Sequence, residues 1–469
     1  MEKLKSASRW KYFNIDRVEE ILETHQKAIV LLAGASSSGK SYSAKMLSQA
    51  LSELGYKSTI ISTDSYNKGV SGIICDKVNL KYFGGKLNNM EKIKENVKKC
   101  IFDTDFGEKF NKNDLINIKK STSKLINPKY MPMFLKALKS EFDIINFDEP
   151  SVYDLKKVAK DLNILTNNGT ITEKKYSKVI SEQMPNDVVI DGKNIDVIIV
   201  EGIYALEDDL INNIDANMTI KNFIESDAKT LFLRRVIRDA KTTSADNCFT
   251  IGAYFKYIVP SYINGILPNK VKADCVFKND MTFAELHTGD VYSTKQRVRV
   301  KNANVLKELF KAGKVISREK QRDLYFCGRD EDVSEENLLR LRTIYDENKK
   351  EFVPTSLVHK GAIKNRKDNK ITRPINVLIK EGDFFKIFDS EQDFVKNMQS
   401  AGFETERITQ KTRTRLKIGE QSVTIDDIQN EGVFIEIGND ADFKIIQQII
   451  KDQNSPAVTL NKDGTKHFE

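Results

Sequence analysis

Cysteine is scarce and scattered in this sequence. The five cysteines, in a chain of 469 residues, are odd in number and never form a Cys-x-x-Cys pair. This pattern argues against a disulfide framework and against a zinc site built from paired cysteines. We therefore expect reduced thiols, which are typical of a cytoplasmic protein.

Long apolar runs and dense basic runs are also missing. The N-terminal segment MEKLKSASRWKYF lacks the apolar core of a signal peptide, and no stretch of 18 apolar residues follows it. The net charge of +8 is spread over 75 basic and 67 acidic residues, whereas nucleic-acid binders usually concentrate positive charge on one face. We expect no membrane and no nucleic acid as partners, and consider small anions the more natural ligands.

The length predicts two or three domains. In the first half, short apolar runs alternate with helical patterns, which indicates a parallel α/β sheet with helices on both faces. These runs cover residues 28–33, 58–64, 195–200 and 217–223. Beyond residue 288 the pattern changes to short alternating segments separated by turns, with helical stretches at 302–312 and 391–401. Such segments favour an antiparallel sheet or a closed β-barrel, so we place the domains at 1–287 and 288–469.

The stretch from about residue 70 to 145 differs from its surroundings. It is rich in lysine, asparagine and isoleucine and contains helical patches such as NMEKIKENVKKCIF and PMFLKALKSEF. We interpret it as a helical insertion or an elaborated lid. A solvated segment without fixed structure remains the alternative.

A glycine-rich loop joins the first apolar strand to a helical pattern. Its sequence is Gly34-Ala35-Ser36-Ser37-Ser38-Gly39-Lys40-Ser41, which fits GxxxxGK[ST] in the strand–loop–helix context that this motif requires. Backbone amides at a helix N-terminus bind phosphate oxygens, Lys40 suits the β- and γ-phosphates, and the Ser41 hydroxyl suits Mg²⁺. The loop therefore predicts ATP and Mg²⁺ as ligands.

Two carboxylates stand where apolar strands end. Asp64 follows the second strand and Glu201 follows the IDVIIV strand. In doubly wound sheets this edge binds the ligand, and a phosphotransferase needs one carboxylate near the acceptor hydroxyl and one near the metal. Ordinary helix capping would also explain either residue.

Three arginines lie within one predicted helix in the sequence FLRRVIRD. Arg234, Arg235 and Arg238 place guanidinium groups about one turn apart. Guanidinium groups suit the charge that develops on a transferring phosphoryl group, so we count all three as catalytic candidates. A solvated basic helix face is the alternative.

At this point the first half resembles the uridine kinase and phosphoribulokinase family. The matching segments, in family order, are GASSSGKS, STDSYNKG, FDEPSVYDL, VIIVEGIYAL, LRRVIRD and YFKYIVPSYINGILPNKVKAD. The resemblance implies a nucleoside-like small-molecule acceptor, with Asp64 as the base, Tyr66 lining the acceptor pocket and Glu201 assisting Mg²⁺. It also implies that the helix of Arg234 borders a lid.

The resemblance has departures on the acceptor side. The family segment Pro-x-Tyr-Asp, which helps to hold the nucleoside, should fall near residues 168–177, where this chain reads NGTITEKKYS. The Gly-Arg that usually follows the lid helix is replaced by TTSADN. Phosphoryl transfer is therefore better supported than uridine as the acceptor.

The second half resembles the CYTH family, whose members form a β-barrel tunnel with inward-facing cations around a polyphosphate. The matching segments are RDLYFC, LLRLR, LVHKG, KTRTRLKIG, TIDDI and FIEIG. Alternation alone places the arginines of LRLR on one strand face and those of TRTR on another, either inside a barrel or toward solvent. The phosphate-binding candidates are Lys301, Arg340, Arg342, Lys360, Lys411, Arg413 and Arg415.

The metal ligands of the CYTH family are not reproduced. Its opening Glu-x-Glu-x-Lys corresponds to Arg297-Val298-Arg299-Val300-Lys301, and its closing Glu-x-Glu corresponds to Glu436-Ile437-Gly438. Because cations in these positions oppose a cation, we expect the usual metal site to be broken, with Asp426 and Glu436 left to hold at most a weakly bound ion.

Three functions remain open at the level of the sequence. The first is an ATP-dependent phosphotransferase of the uridine kinase type with a polyphosphate-binding CYTH-like module. The second is a tri- or pyrophosphate phosphohydrolase that uses the second domain. The third is a nucleotide-binding regulator without catalysis, and each of the three is compatible with an oligomer.

Overall fold

The computed structural model describes residues 2–4, 6–102, 112–142, 145–177, 181–242, 246–289, 291–300, 303–328, 337–367 and 370–438. The chain forms two compact units, and each is described by itself. Unit 1 comprises Met1–Ser226, Lys241–Ser244 and Lys256–Asp280, and unit 2 comprises Asp227–Ala240, Ala245–Phe255 and Met281–Glu469. The domain boundary near residue 288 stays a prediction.

Unit 1 is built on a parallel sheet. Its strands and its two-stranded hairpin are β1 (Glu2–Leu4), β2 (Ala28–Gly34), β3 (Ser58–Ser62), β4 (Thr170–Ser177), β5 (Glu182–Asp191), β6 (Val197–Glu201), β7 (Thr219–Glu225) and β8 (Cys275–Lys278). Among the described residues the sheet has six strands in the order β1-β8-β7-β2-β6-β3, and every pairing is parallel. The apolar runs of the sequence predicted β2, β3, β6 and β7.

Helices cover both faces of this sheet. They are α1 (Ala7–Leu22), α2 (Lys40–Glu53), α3 (Gly69–Phe83), α4 (Met90–Phe102), α5 (Lys112–Thr122), α6 (Met131–Phe142), α7 (Leu155–Thr166), α8 (Asp208–Ile211) and, after the two helices of unit 2 given below, α11 (Val259–Ser261). All seven residues of β2 and all five of β6 are buried. Two apolar cores result, because alternate side chains of a strand point to opposite sheet faces. The expected α/β architecture is confirmed.

The insertion is helical in its described part. Helices α3 to α6 pack on one another, and their apolar residues join the core on one face of the sheet. Ile74, Val97, Ile118 and Phe134 are each fully buried there. The segment is therefore packed into the core of unit 1, as expected for a helical insertion; residues 103–111 and 143–144 lie outside the described part.

Unit 2 is a closed antiparallel barrel. Its strands are β9 (Val291–Arg299), β10 (Lys314–Gly328), β11 (Asn337–Asp346), β12 (Glu351–Gly361), β13 (Asn365–Lys367), β14 (Lys370–Ile379), β15 (Phe403–Ile418), β16 (Gln421–Ile428) and β17 (Gly432–Gly438). In the described residues the order is β12-β11-β10-β15-β16-β17-β9-β14, and a further pairing of β14 with β12 closes the ring, while β13 extends β14. Closure removes free edges, which stabilises an all-antiparallel sheet.

The barrel strands alternate between an apolar outer face and a charged inner face. The helices of this unit are α9 (Ala228–Thr242), α10 (Asn247–Ala253), α12 (Phe283–Leu286), α13 (Ala303–Ala312) and α14 (Glu391–Ser400). Val305 and Leu309 of α13 pack on Leu416 and Ile435, which therefore point outward. Residues one position away, such as Arg415 and Glu436, point to the interior because strand side chains have a period of two.

None of the helices in the described residues combines the length and the apolar character that crossing a membrane would require.

Candidate active site

The glycine-rich loop turns sharply between β2 and α2. Gly34 has φ of +145°, and a methyl group added there would lie 2.2 Å from the carbonyl oxygen of Ile224. Gly39 has φ of +92°, in the left-handed region that glycine adopts without strain. Only a residue without a side chain fits at Gly34, because of this close approach to the Ile224 carbonyl.

Polar groups converge inside this loop. The Lys40 Nζ donates a hydrogen bond to the carbonyl oxygen of Ala35 at 2.7 Å, and the lysine is 7% exposed. The hydroxyls of Ser37 and Ser38 are buried without a hydrogen-bond partner. The Asn279 side chain donates to the Ser38 carbonyl at 2.7 Å, which holds the loop from the end of β8. Buried unsatisfied hydroxyls beside an ammonium group are what a phosphate tail would satisfy.

The predicted carboxylates lie at the same sheet edge as the loop. Glu201 pairs in register with Leu32 of β2 on one side and with Ser62 of β3 on the other. The Ser62 hydroxyl donates to Glu201 Oε1 at 2.7 Å, and Asp64 stands two residues further on, half-buried. The carboxyl ends of three parallel strands therefore bring the loop, Glu201 and Asp64 together, as the sequence predicted.

The approach of β3 and β6 is so close that it requires glycine. A methyl group added at Gly202 would lie 1.7 Å from the hydroxyl oxygen of Thr63. Because Gly202 follows Glu201 directly, the glycine allows the two carboxylate-bearing segments to pack against each other.

The donor set at this edge fits Mg²⁺. Ser41 is exposed on the first turn of α2 and offers a hydroxyl, and Glu201 offers a carboxylate. Mg²⁺ prefers oxygen ligands and commonly takes only one or two from protein, with phosphate and water completing the octahedron. A group of three or more His, Cys, Asp or Glu side chains suited to a metal is absent from the described residues, so a protein-only cage is not formed there.

Tyr66 stabilises the turn that carries Asp64. It is 4% exposed, and its hydroxyl donates to Asp161 Oδ2 at 3.0 Å, while Lys157 Nζ binds the same oxygen at 2.6 Å. Burial, together with the Asp161 carboxylate, raises the pKa of Tyr66 well above its usual value. The phenol thus stays neutral and fixes the turn that carries Asp64; its lining of an acceptor pocket stays a prediction.

Sequence reasoning missed the β4–β5 hairpin, which covers this turn. The Gln183 side chain donates to the Asn67 carbonyl at 2.8 Å, and Glu173 bonds to Ser65. Burial raises the pKa of Glu173, and burial above all, with Asp64 among the nearby carboxylates, raises that of Tyr176. The hairpin falls where the family segment Pro-x-Tyr-Asp was expected. The alternation in TITEKKYS was the available signal.

The segment FDEPSVYDL lies beside the same turn. Asn67 and Tyr153 form an antiparallel bridge, and the amide of Asp154 donates to the Tyr66 carbonyl at 3.0 Å. The Tyr204 hydroxyl donates to the carbonyl oxygen of Asp148. The backbone contacts explain why this segment follows the insertion at a fixed place: it returns the chain to the Asp64 turn.

The three arginines of α9 belong to unit 2 and are ion-paired within it. Arg234 makes a two-point contact with Glu285 at 2.7 and 2.9 Å. Arg235 and Arg238 both bind Asp239, at 2.6 and 2.8 Å. The alternative of a purely solvated basic face does not describe these side chains, and their part in phosphoryl transfer stays a prediction.

The barrel interior gathers the cations expected from its alternating strands. Arg342 binds both oxygens of Asp323, with contacts of 2.8 and 2.7 Å. Arg340 Nη1 lies 3.6 Å from Asp323 Oδ2, and Lys411 Nζ lies 3.7 Å from the same oxygen. These cations hold the pKa of Asp323 well below its usual range, despite the opposing effect of its burial. Sequence reasoning did not single out Asp323.

A second group of carboxylates lies beside the first, because Lys411 contacts both Asp323 and Asp426. Arg413 binds Asp426 at 2.7 and 2.6 Å and Glu436 at 2.9 Å, and Lys411 binds Asp426 at 3.0 Å. Lys295 lies 3.2 Å from Glu436. The two carboxylates proposed for a weakly bound metal ion therefore already have cationic partners.

The remaining predicted cations divide into three cases. Lys360 is half-buried, and the arginines Arg340 and Arg342 are among the cations that push its pKa well below the usual value. Arg415 binds Glu319 at 2.6 Å. Lys301 lies outside the described residues.

A strand, a GxxxxGKS loop and a helix that opens directly at the lysine, with carboxylates at the ends of adjacent parallel strands, define a P-loop nucleotide-binding fold. Within it, residues 99–283 match the model of the Phosphoribulokinase / Uridine kinase family. This range begins in α4 and includes β6, β7 and Glu201, while the loop itself precedes it.

Curated relatives agree with this match. The chain is 31% identical over 131 residues to the uridine kinase of Staphylococcus aureus strain JH9, which covers 28% of this chain and 61% of that enzyme. The chain therefore spans less than two thirds of the curated relatives that it matches.

Solved structures give fold-level likenesses only. A protein described as a possible uridine kinase from Bacillus stearothermophilus aligns with 56% of this chain and 97% of its own, at 14% identity and a TM-score of 0.28. A conserved hypothetical protein from Pyrococcus furiosus aligns with 38% of this chain and 95% of its own, at 20% identity and a TM-score of 0.26. Scores this low carry no argument about function.

Proposed function

We propose that this protein is an ATP-dependent phosphotransferase that acts on a hydroxyl group of a small, nucleoside-like acceptor. The observation that carries the proposal is the loop Gly34–Ser41, with buried unsatisfied hydroxyls around Lys40, at the sheet edge that also bears Glu201 and Asp64. The family match over residues 99–283 supports the same activity.

The residues of the site have separate roles in this proposal. The loop amides and Lys40 bind the triphosphate tail and stabilise the negative charge that develops on the γ-phosphoryl group. Ser41 and Glu201 would hold Mg²⁺, which neutralises phosphate charge when bound. Asp64 accepts the proton of the attacking hydroxyl, because it lies on the turn after β3, where the acceptor is expected to bind.

The surroundings of Asp64 favour an acceptor without phosphate groups. The turn is packed against the carboxylates of Asp161 and Glu173, and the cation beside them, Lys157, is already bound to Asp161. A phosphorylated acceptor would be repelled by these charges, whereas a neutral polyol would find hydrogen-bond acceptors.

The test is ATP consumption with a panel of nucleosides in the wild type and in Lys40→Ala. Turnover with one acceptor that Lys40→Ala abolishes supports the proposal, and Lys45→Ala on the exposed side of the same helix is the matched control. Asp64→Asn should reduce kcat by about a hundredfold or more while ATP still binds, as for loss of a general base. ATP binding without turnover on any acceptor would favour a nucleotide-binding regulator instead.

For unit 2 we propose a polyphosphate ligand inside the barrel, because the cations grouped around Asp323, Asp426 and Glu436 outnumber these three carboxylates. The phosphate-binding residues proposed from the sequence are Lys301, Arg340, Arg342, Lys360, Lys411, Arg413 and Arg415. A phosphohydrolase of the barrel would release phosphate in a metal-dependent reaction that survives Lys40→Ala and fails in Arg340→Ala. Absence of that release leaves binding as the function of the barrel.

A further inference from the structure

The carboxylates inside the barrel are arranged as partners of cations. Both oxygens of Asp426 accept from Arg413, and both oxygens of Asp323 accept from Arg342. Glu436 accepts from Arg413 and Lys295. A divalent ion at any of these oxygens would have to displace a guanidinium or ammonium group and approach its positive charge.

The expected metal therefore does not fit the donor set. A hard divalent cation needs several oxygen ligands free to converge on one point, and within the described residues no three His, Cys, Asp or Glu side chains do so. Arg297, at the position of a family carboxylate, instead stacks on the Phe434 ring at 4.0 Å from its centroid.

Cations in this interior exceed the carboxylates. Among the described residues, the barrel cluster consists of six cationic side chains and three carboxylates: Arg297, Arg340, Arg342, Lys360, Lys411 and Arg413 with Asp323, Asp426 and Glu436. Lys295, whose side chain is half exposed, also binds Glu436. Arg340 is 9% exposed, and its Nε has no hydrogen-bond partner. The charged groups that shift the pKa of Lys360 are all cationic and all lower it.

We infer that the barrel binds a polyphosphate directly through its arginines and lysines, in the metal-free form and with no divalent ion between protein and ligand. This metal-free binding rests on the polyphosphate ligand proposed above. It adds that the ligand is bound without a metal ion and contacts the protein directly. Free Arg340 Nε and Lys360 supply donors at one side of the cluster, and the ligand takes the place of part of the Asp323 charge near them.

A consequence follows for catalysis. Hydrolysis by members of a metal-dependent fold relies on an ion that polarises the phosphate and activates water. A barrel that replaces the ion with fixed guanidinium groups retains charge neutralisation without a metal-bound nucleophile. The unit thus acts as a receptor for the anion, and its ligand leaves unchanged.

The test uses the full-length Lys40→Ala protein and inorganic tripolyphosphate as the probe. The substitution ensures that the loop at Gly34–Ser41 contributes little to the binding of the probe. Calorimetric titrations are run in EDTA and in excess MgCl₂. We expect binding in EDTA and an affinity at least about fivefold lower with Mg²⁺, because the metal complex of the probe carries less charge to meet the surplus cations. Released phosphate is measured in the same samples and should stay at background.

Two variants assign the signal to the barrel. Arg340→Gln should weaken binding in EDTA by about tenfold, the loss of one charge-assisted contact. Lys417→Gln is the control, since Lys417 is half exposed on the same barrel and binds Glu420 outside the cluster. Circular dichroism checks that both variants are folded.

The possible failures differ. Binding that requires Mg²⁺, or Mg²⁺-dependent phosphate release that Arg340→Gln abolishes, overturns the metal-free mode and leaves the polyphosphate ligand standing. No binding in either buffer removes the polyphosphate proposal itself, and with it this inference. The proposed kinase activity of unit 1 is untouched by each of these results.

Discussion

In the functions proposed here, both units neutralise the charge of a phosphate chain, but they do so with different chemical groups. In unit 1 the site consists of backbone: a loop held open by Gly34 and Gly39, with Lys40 as its single ammonium group. In unit 2 it consists of side chains: cations from four strands, β9, β11, β12 and β15, arranged around Asp323, Asp426 and Glu436.

The difference explains how each site would treat a metal ion. A backbone site has little net charge, so a bound triphosphate still needs Mg²⁺, for which Ser41 and Glu201 provide oxygens. A site with more guanidinium groups than carboxylates already supplies the positive charge. This positive charge repels a metal cation. Two phosphate sites in one chain can thus have opposite metal requirements.

The largest expected effect separates the two sites by mutation. Lys40→Ala should lower ATP turnover by about a thousandfold, or about 4 kcal/mol of transition-state stabilisation, and leave tripolyphosphate binding in EDTA within about twofold. Arg340→Gln should weaken tripolyphosphate binding in EDTA and leave ATP turnover nearly unchanged. Initial rates and calorimetry on the same preparations measure both; if either substitution impairs both functions in a folded protein, the sites are not independent.

The second effect tests the backbone origin of the first site. Gly34→Ala should lower the free energy of unfolding by about 3 kcal/mol, because the methyl group would strike the Ile224 carbonyl at a positive φ. Gly55→Ala is the matched control: its φ is +91°, but nothing lies within 4 Å of the added methyl, so only about 1 to 2 kcal/mol is expected. Urea unfolding measures both. If both substitutions lower the free energy of unfolding equally, the contact of the added methyl group with the Ile224 carbonyl is relieved without an energetic cost.

How much of this could be predicted depends on the kind of site. The loop is eight consecutive residues, and its phosphate-binding geometry follows from local backbone rules, so the strand, loop and helix were all predicted from sequence. The position of Glu201 and Asp64 at strand ends on the edge of the loop was also expected, because parallel strands end at one edge, whereas the pairing of Glu201 with Ser62 was not predicted.

The barrel was harder to predict because its contacts join distant residues. Alternation placed Arg340 and Arg342 on one face, yet could not indicate that Asp323 of the preceding strand would lie between them. The β4–β5 hairpin was missed for a related reason: the alternation in TITEKKYS is weak because the strand is mostly polar, and the place of the hairpin beside Asp64 is set by tertiary contacts. Pairing register, rather than propensity, was the missing information.

A third effect concerns stability at acid pH in unit 2. His359 is buried on the barrel; Nε2 lies 2.9 Å from Asn337 Oδ1 and Nδ1 lies 3.2 Å from Asn376 Nδ2, contacts that suit a neutral ring. Burial, with Lys229 and Arg373, lowers its pKa to about 3. Below pH 6.5 the ring is therefore protonated in the unfolded chain and neutral in the folded chain. Because the unfolded state binds the additional proton, the free energy of unfolding decreases as the pH falls.

Between pH 7 and pH 5 this residue alone should lower the free energy of unfolding by about 2 kcal/mol. His359→Gln removes the titration, and the comparison is between the pH slopes of the two proteins, since other groups contribute equally to both. Urea unfolding at several pH values provides the slopes. Parallel curves for the two proteins would show that the pKa of the His359 ring does not differ between the folded and the unfolded chain.

The smallest effect is a pH dependence of the barrel ligand. Burial lowers the pKa of Lys411 from 10.5 to about 8, although Asp323 and Asp426 favour its charged form. As the pH rises from 7 to 9 the lysine loses its charge, and tripolyphosphate affinity in EDTA should fall by about three- to fivefold, as for loss of one partly screened ion pair. Ligand charge raises the pKa of the bound state, so the decline sets in somewhat above pH 8 in the complex.

Lys411→Met is the reference for this effect because it removes the charge and keeps much of the side-chain volume. The ratio of wild-type to variant affinity cancels the titration of the probe itself, which grows more anionic over the same range. That ratio should decrease from pH 7 to pH 9 and approach one, since a neutral lysine and a methionine offer the anion the same net charge. A ratio that stays constant across this range would place Lys411 outside the group of cations that the ligand contacts.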